Sequence, residues 1–191
     1  SSFSDATRAD PARRARWDAA YVAGLNALKA RDADGALAAL NEAKAIDAVP
    51  AKLYYAYGQA YALAGRDAAA REAFAQALEH DPSPMRAQAW AEQVIRDVAA
   101  ETGTPLADLQ TAFDSASKLG VAGSELIFDN CHPNLPGHEL IASILLDVIE
   151  CYEPGLTLAL ENQNTLRALI WLAAMASPDV AGRRIEAYAQ K

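Results

Sequence analysis

Small and apolar residues recur along the first half of the chain at intervals of 34 positions. Gly24 and Gly58 form one such pair, and Leu40 and Phe74 form another. A glycine on one helix lets a second helix approach closely, and a larger apolar residue fills the space that remains between them. The pattern therefore predicts two helical hairpins in tandem. Further pairs at this spacing are Ala36 with Ala70, Ala43 with Ala77 and Asp47 with Asp81.

The second copy has aromatic and small residues at positions that define a known repeat. These are Tyr54, Tyr57, Gly58, Tyr61, Gly65, Ala70, Phe74, Ala77 and Pro82. In this pattern the chain resembles the tetratricopeptide repeat, and the resemblance implies two helix-turn-helix repeats over residues 17–84. The first copy matches less closely, with Ala20 at the large aromatic position and Ala48 where proline is usual. Asp67 is expected to cap the second helix of the second copy.

Both ends of such a pair of repeats must be covered, because two repeats bury little surface by themselves. Residues 1–16 are expected to form an N-terminal capping segment. The stretch from Met85 to Gly103 is expected to form a cap helix at the other end. Its apolar positions at helical spacing are Trp90, Val94, Ile95 and Val98.

The resemblance also implies a concave groove that holds a peptide or protein partner. The groove positions are Tyr21, Leu25, Leu28, Tyr55, Gln59 and Ala62. The alternative is that these side chains merely pack against an adjoining helix, and two repeats alone favour that alternative.

The residue composition changes after the cap helix. Gly103 and Pro105 end that helix, and "TGTPLADLQTAF" predicts a short extended segment followed by a helix. The loop "FDNCHPNLPGHELIA" then brings together Asp, Cys, two His, two Pro and a Gly, from Phe128 to Ala142. A helix is predicted from Pro136, with one apolar face made by Ile141, Ile144, Leu145 and Val148.

These residues resemble the C-terminal end of an SGNH (GDSL-type) hydrolase, over residues 85–150. That family ends with a short strand, a D-x-x-H block and an "HPN..GH..IA" motif that enters the last helix. The resemblance implies that Asp129 orients the imidazole of His132, which acts as general base in a Ser-His-Asp triad. It implies that Pro133 and Gly137 shape the loop, and it gives His138 no catalytic role. The expected fold class is mainly α, with repeats followed by the C-terminal fragment of an α/β hydrolase.

The rest of such an active site is missing from the sequence. No Gly-Asp-Ser block follows an apolar strand, and no Gly-x-Asn-Asp block completes an oxyanion hole. We therefore expect a longer parent, a bacterial-type serine hydrolase of an ester such as an acetylated sugar or a lipid. This chain alone is expected to be inactive, since the nucleophile and the oxyanion donors carry much of the rate. The chain begins without Met or a signal peptide, as a piece of a longer protein would, so the compartment is not predicted.

Three alternatives apply to the loop. Asp129 and His132 can be a capping pair that only stabilises the loop. A metal site is the second alternative, formed by Asp129, Cys131, His132 and His138, although the sequence lacks another Cys/His pair. Catalysis by the Cys131 thiol is the weakest, because the adjacent His132 is not expected to face it. We therefore expect neither a metal nor another cofactor.

Charge and hydropathy exclude further function classes. The formal charge is −8 without a basic stripe, which argues against nucleic-acid binding. The longest apolar run, Leu166 to Ala176, is too short to span a bilayer. Residues 151–191 are expected to form C-terminal helices broken at Ser177-Pro178. If a hydrolase core is missing, exposed apolar surface would favour a homodimer. The class competing with the enzyme is a non-catalytic repeat scaffold that mediates protein–protein interaction.

Overall fold

The computed structural model describes residues 3–129 and 131–152, and over these ranges the protein is mainly α with no β-strand. The helices are α1 (Asp5–Ala9), α2 (Pro11–Lys29), α3 (Ala33–Ile46), α4 (Ala51–Leu63), α5 (Asp67–Glu79), α6 (Ala89–Thr102), α7 (Leu109–Ala116) and α8 (Leu135–Tyr152). None of these helices has both the length and the hydropathy that crossing a lipid bilayer requires. The C-terminal helices expected within residues 151–191 lie almost entirely outside the described residues.

The contacts divide the chain into two units, with the boundary between Val94 and Ile95 inside α6. The first unit contains the two predicted hairpins, α2 with α3 and α4 with α5. The second contains α7, α8 and the Asp-His loop.

The two hairpins repeat the same turn 34 residues apart. Arg31 and Gly65 both have a positive φ, 59° and 69°. In the first copy the amide of the next residue, Asp32, donates a 2.9 Å hydrogen bond to the carbonyl of Ala27. In the second copy the amide of Arg66 donates a 2.9 Å hydrogen bond to the carbonyl of Tyr61. A left-handed residue after the last helical turn is the usual way for a helix to end. Glycine adopts it without strain in the second copy, whereas Arg31 adopts it in the first.

Close approach of the paired helices depends on their glycines. A Cβ at Gly24 would lie 2.9 Å from Cγ and Cδ2 of Leu40. A Cβ at Gly58 would lie 2.4 Å from the ring of Phe74. The spacing in the sequence therefore corresponds to one helix-helix contact made twice, with Leu in the first copy and Phe in the second.

The core of the first unit is built around Trp17, which is fully buried. Its Nε1 donates a 2.8 Å hydrogen bond to the carbonyl of Asp47. Phe3 packs edge-on against its ring, and Tyr21 stacks on it with centroids 4.9 Å apart. The ammonium of Lys52 lies 4.7 Å from the Trp17 ring centroid, a cation–π distance. Phe3 thereby anchors the N-terminal residues to the core of the first hairpin.

Helix capping differs from the prediction at Asp67. The N-cap of α5 is Arg66, without a side-chain hydrogen bond, and Asp67 is the first helical residue. Its carboxylate still lies where the helix dipole favours negative charge. The matching position in the first copy, Asp32, does cap α3 by accepting from the amide of Gly35 at 2.9 Å.

The helix expected within Met85 to Gly103 forms as α6, but its apolar face is not buried. Trp90 is 66% exposed. Val94, Ile95 and Val98 are exposed as well. Helical periodicity identified the helix correctly, but it carries no information about whether a partner surface covers the apolar side.

The short strand expected near Leu106 is absent: residues 104–108 form no regular secondary structure and pair with no strand in the described part of the chain. They lead instead into Asp108, the N-cap of α7, which accepts from the amide and hydroxyl of Thr111. Arg96 donates to the same carboxylate at 2.9 Å. The hydrogen bond from Arg96, followed by that from the Thr111 amide, holds the pKa of Asp108 well below its ordinary value. Within the described residues, this segment is therefore held by hydrogen bonds to the Asp108 side chain rather than by pairing with a strand.

We predict that Gly58→Ala destabilises the first unit more than Gly24→Ala, by at least about 1 kcal/mol, because a rigid ring yields less readily than a leucine side chain. The free energy of unfolding of both variants can be measured by chemical denaturation monitored by circular dichroism. Phe74→Leu gives the second hairpin the contact of the first, so adding it to Gly58→Ala should recover stability. Equal losses from the two glycine variants would contradict this account of the repeat.

Asp47 ties the N-terminal segment to the end of α3. It is buried and accepts hydrogen bonds from Ser4 N at 3.0 Å, Ser4 Oγ at 2.7 Å and Val49 N at 2.9 Å. Burial raises the pKa of Asp47, but hydrogen bonds from Thr7, Val49 and Ser4 outweigh it, so the pKa lies below its ordinary value. The folded state therefore favours the carboxylate.

We predict that Asp47→Asn costs about 1–3 kcal/mol near neutral pH, because the ionised acceptor of these hydrogen bonds is lost. A lowered folded-state pKa stabilises the protein fully above the unfolded value of about 3.9, and the stabilisation disappears as the pH falls through the folded value. The difference in unfolding free energy between wild type and variant should thus shrink below about pH 4. Asp81→Asn, at the matching position of the second copy, is the control. A difference that is independent of pH would refute the ionic role of Asp47.

Candidate acid–base site

The candidate site lies on a short loop that the backbone closes on itself. Ile127 and Pro133 form an isolated antiparallel bridge. The amide of Phe128 donates to the carbonyl of His132 at 2.7 Å, and the amide of Asn134 donates to the carbonyl of Leu126 at 2.9 Å. These bonds hold the two ends of the loop together, so that Asp129 and His132 belong to one compact turn.

Asn134 connects the loop to the start of α8. Its Oδ1 accepts from the amide of Gly137 at 3.1 Å, as a helix N-cap does. Its Nδ2 donates to the carbonyl of Ser124 at 3.0 Å. One side chain thereby fixes the segment before the loop and the helix after it.

Gly137 is required where α8 meets this loop. A Cβ at position 137 would lie 2.2 Å from the carbonyl oxygen of Leu126 and 3.0 Å from Cβ of Pro133. The Leu126 oxygen is a backbone atom and cannot rotate away. The predicted role of Pro133 and Gly137 in shaping the loop thus has a definite physical basis, which is the close approach of the Leu126 carbonyl to the first turn of α8.

The carboxylate of Asp129 organises the turn. Its Oδ1 accepts from the amides of Cys131 and His132, each at 2.9 Å. Its Oδ2 lies 2.8 Å from Nδ1 of His132. The two amide hydrogen bonds fix the position of the carboxylate without help from the imidazole. The imidazole then contacts the carboxylate through Nδ1.

Electrostatics keeps this carboxylate ionised. The hydrogen bonds from the Cys131 and His132 amides, with the contact to the imidazole, lower the pKa of Asp129 to about 2. The acid is therefore an anion at any ordinary working pH, as the orienting member of a triad must be. The His132 side chain is 74% exposed, and the described contacts include no hydrogen bond to its Nε2.

Cys131 lies closer to the pair than the sequence suggested. Its Sγ is 3.6 Å from Nδ1 of His132. The expectation that adjacent residues would not face each other was wrong here, because the amide bonds to Asp129 curl the backbone around the carboxylate. The sulfur, the imidazole nitrogen and a carboxylate oxygen come within 4.8 Å of one another, all on exposed residues. His138 lies in the first turn of α8 and is not part of this cluster.

The predicted groove positions differ in their exposure to solvent. Tyr21, Leu25 and Leu28 pack against the core of the first unit. Tyr55 is 54% exposed, with its ring 5.5 Å from that of Phe74, and Gln59 is exposed. Ala62 is half-buried. Three of the six positions therefore match the alternative of packing against neighbouring helices, while Tyr55 and Gln59 present side chains to solvent.

Sequence reasoning missed two contributions to the site. One is Asn134, which lacked the glycine context sought for an oxyanion donor but proves to be the cap of α8. An Asn just before an apolar helix, with Pro136 in the first turn, is a capping signal that can be found without a structure. The other is the approach of Cys131 Sγ to His132, for which the sequence offers no comparable signal.

Comparison of the chain with protein-family models found no match, and comparisons with curated proteins and with solved structures found none either.

We predict that Gly137→Ala disrupts the loop, because its Cβ would overlap the Leu126 carbonyl. Amide hydrogen exchange at Phe128 and Asn134 should accelerate at least tenfold, or about 1.4 kcal/mol. Gly123→Ala is the matched control, since its Cβ would meet only the flexible end of Glu125, 2.8 Å away. Unchanged exchange in Gly137→Ala would mean that the loop does not depend on this contact.

Proposed function

We propose that this chain carries the acid–base half of an SGNH-type serine ester hydrolase. Asp129 is the orienting acid and His132 the general base. The nucleophilic serine and the oxyanion donors belong to a part of the parent enzyme outside these 191 residues. The proposal follows from the order of the loop residues, Asp, His, Pro, Asn, Gly and His, together with the missing Gly-Asp-Ser block.

The observation that carries the proposal is the 2.8 Å contact between Asp129 Oδ2 and His132 Nδ1. A carboxylate at Nδ1 holds the imidazole proton on that nitrogen. The free electron pair of Nε2 can then accept a proton from a serine hydroxyl, and the carboxylate stabilises the imidazolium that results. The exposure of the ring leaves room for that serine.

The pair cannot perform acyl transfer without its partners. The serine must attack the ester carbonyl, and backbone or side-chain donors must stabilise the oxyanion. A general base typically contributes about 10²–10⁴ in rate, which is meaningful only when a nucleophile is present. The 191-residue chain is accordingly proposed to be inactive on its own.

The first unit is proposed to consist of two tetratricopeptide repeats. The paired glycine contacts, the matched left-handed turns and the helix lengths support this assignment. In the parent enzyme the repeats would be an insert or appendage beside the hydrolase domain. Their role would be to bind a protein segment rather than the ester.

The second candidate function is a non-catalytic repeat scaffold. The observation that favours it is the exposure of Tyr55 and Gln59 on α4, at positions that face a peptide in repeats of this kind. Tyrosine is common at the centre of protein interfaces because it buries a large area at a small entropic cost. In this alternative, Asp129 and His132 only stabilise the loop.

Labelling with a fluorophosphonate, which reacts with activated serines, tests the proposal. The native protein should be captured from its source cells with an antibody against this chain. We expect an intact mass well above the 20.3 kDa of the chain and covalent labelling at a serine outside it. A native mass equal to that of the chain, with no labelled serine, would refute the enzyme and favour the scaffold.

Variants of the parent then test the two roles. We expect His132→Ala to lower kcat for ester hydrolysis by at least about 1,000-fold, and Asp129→Asn by about 10⁴-fold through the wrong tautomer. His138→Ala is the control, because His138 lies outside the cluster, and it should retain activity. Undiminished turnover in His132→Ala would eliminate the triad assignment.

A further inference from the structure

The Asp-His loop also brings a third kind of donor atom to the same point. Cys131 Sγ lies 3.6 Å from His132 Nδ1, and Asp129 Oδ2 lies 2.8 Å from the same nitrogen. A thiol, an imidazole and a carboxylate are the ligand types that zinc uses in proteins. We propose that Asp129, Cys131 and His132 form a three-ligand binding site for a zinc-class divalent metal ion.

The distance from sulfur to nitrogen matches tetrahedral coordination, and all three donor atoms lie within 4.8 Å of one another. With a zinc–sulfur bond of about 2.3 Å and a zinc–nitrogen bond of about 2.0–2.1 Å, two tetrahedral ligands lie about 3.3–3.6 Å apart. The distance from sulfur to nitrogen is already 3.6 Å. The distance from oxygen to nitrogen, 2.8 Å, is that of a hydrogen bond, and it has to lengthen by about half an ångström when the ion replaces the shared proton.

The turn is organised before an ion binds. The amides of Cys131 and His132 both donate to Asp129 Oδ1, and this leaves Oδ2 directed at the imidazole. The backbone bonds from Phe128 to His132 and from Asn134 to Leu126 close the loop behind them. Little further ordering is needed to bring the three donors to one ion, so binding loses little free energy to conformational entropy.

The donor set selects the class of metal. Thiolate and imidazole favour zinc and its neighbours in the transition series, whereas magnesium and calcium prefer oxygen donors. Three protein ligands on an exposed turn leave a fourth position for water or another ligand. The formal charge of −8 attracts cations to the chain in general, but the thiolate makes this site selective.

Metal binding and base catalysis exclude each other at His132. A neutral imidazole that binds a metal through Nδ1 carries its proton on Nε2, and Nε2 then cannot accept a proton from serine. Where the pair serves in the proposed hydrolase, zinc should therefore inhibit it. The metal site itself does not depend on that function, because it uses only residues of this chain.

Titration of the reduced 191-residue chain with Co²⁺ tests the site. We expect saturable binding of a single ion per chain, with the near-ultraviolet absorption of a cobalt–thiolate bond, and displacement by Zn²⁺ but not by Mg²⁺. Cys131→Ser should abolish the thiolate band. His132→Ala should weaken binding at least tenfold, because even the loss of a group that only supports a ligand typically costs about 10–100-fold in metal affinity. Cys151→Ser is the matched control, since Cys151 is also an exposed free thiol.

The cobalt–thiolate band of the variants decides whether Cys131 binds the metal ion. Retention of the band in Cys151→Ser and its loss in Cys131→Ser support the site. Absence of the band in the wild type, its persistence in Cys131→Ser, or its equal loss in Cys151→Ser would overturn the proposal. Because the titration requires neither substrate nor nucleophile, a failure here leaves the proposed hydrolase unaffected. A failure of serine labelling likewise leaves the metal site unaffected.

Discussion

The carbonyl of Leu126 approaches the first turn of α8 so closely that only glycine fits at position 137. The loop from Phe128 to His132 depends on this approach, because the same carbonyl accepts from the amide of Asn134 and the side chain of Asn134 caps α8. With the ends fixed, two backbone amides are free to hold the Asp129 carboxylate, and the carboxylate can hold the imidazole. The geometry of the loop is thus set by a backbone contact rather than by the Asp129 and His132 side chains themselves.

Close approach at a glycine also occurs in the first unit, where it has a different structural consequence. Gly24 and Gly58 allow helices to approach a leucine or a phenylalanine, and this contact recurs at the 34-residue spacing of the hairpins. There the close approach builds a core, closed at its start by Trp17 and Phe3. In the second unit the close approach positions polar atoms at the surface, where a substrate or an ion can reach them.

Helical elements could be predicted from sequence where a local pattern determines them. The spacing of Gly24 and Gly58 indicated the hairpins, and the apolar periodicity of α6 and α8 indicated those helices. The strand near Leu106 could not be predicted correctly, since pairing depends on a partner strand and Asp108 instead makes local bonds. The same periodicity did not reveal that the apolar face of α6, including Trp90, is exposed, because it identifies an apolar side without identifying what covers it. At the site, the Asp129–His132 pair followed from the motif, but the approach of Cys131 depended on how two amide bonds curl the turn.

The central claim is that Asp129 holds the imidazole of His132 by Nδ1 and leaves Nε2 free to act as a base. Nitrogen-15 chemical shifts of the His132 ring, recorded on metal-free protein at a pH where the ring is neutral, test it most directly. The account predicts that the proton resides on Nδ1 in the wild type and that Asp129→Asn shifts the equilibrium toward Nε2. A wild-type ring that carries its proton mainly on Nε2, with no change in Asp129→Asn, would contradict it.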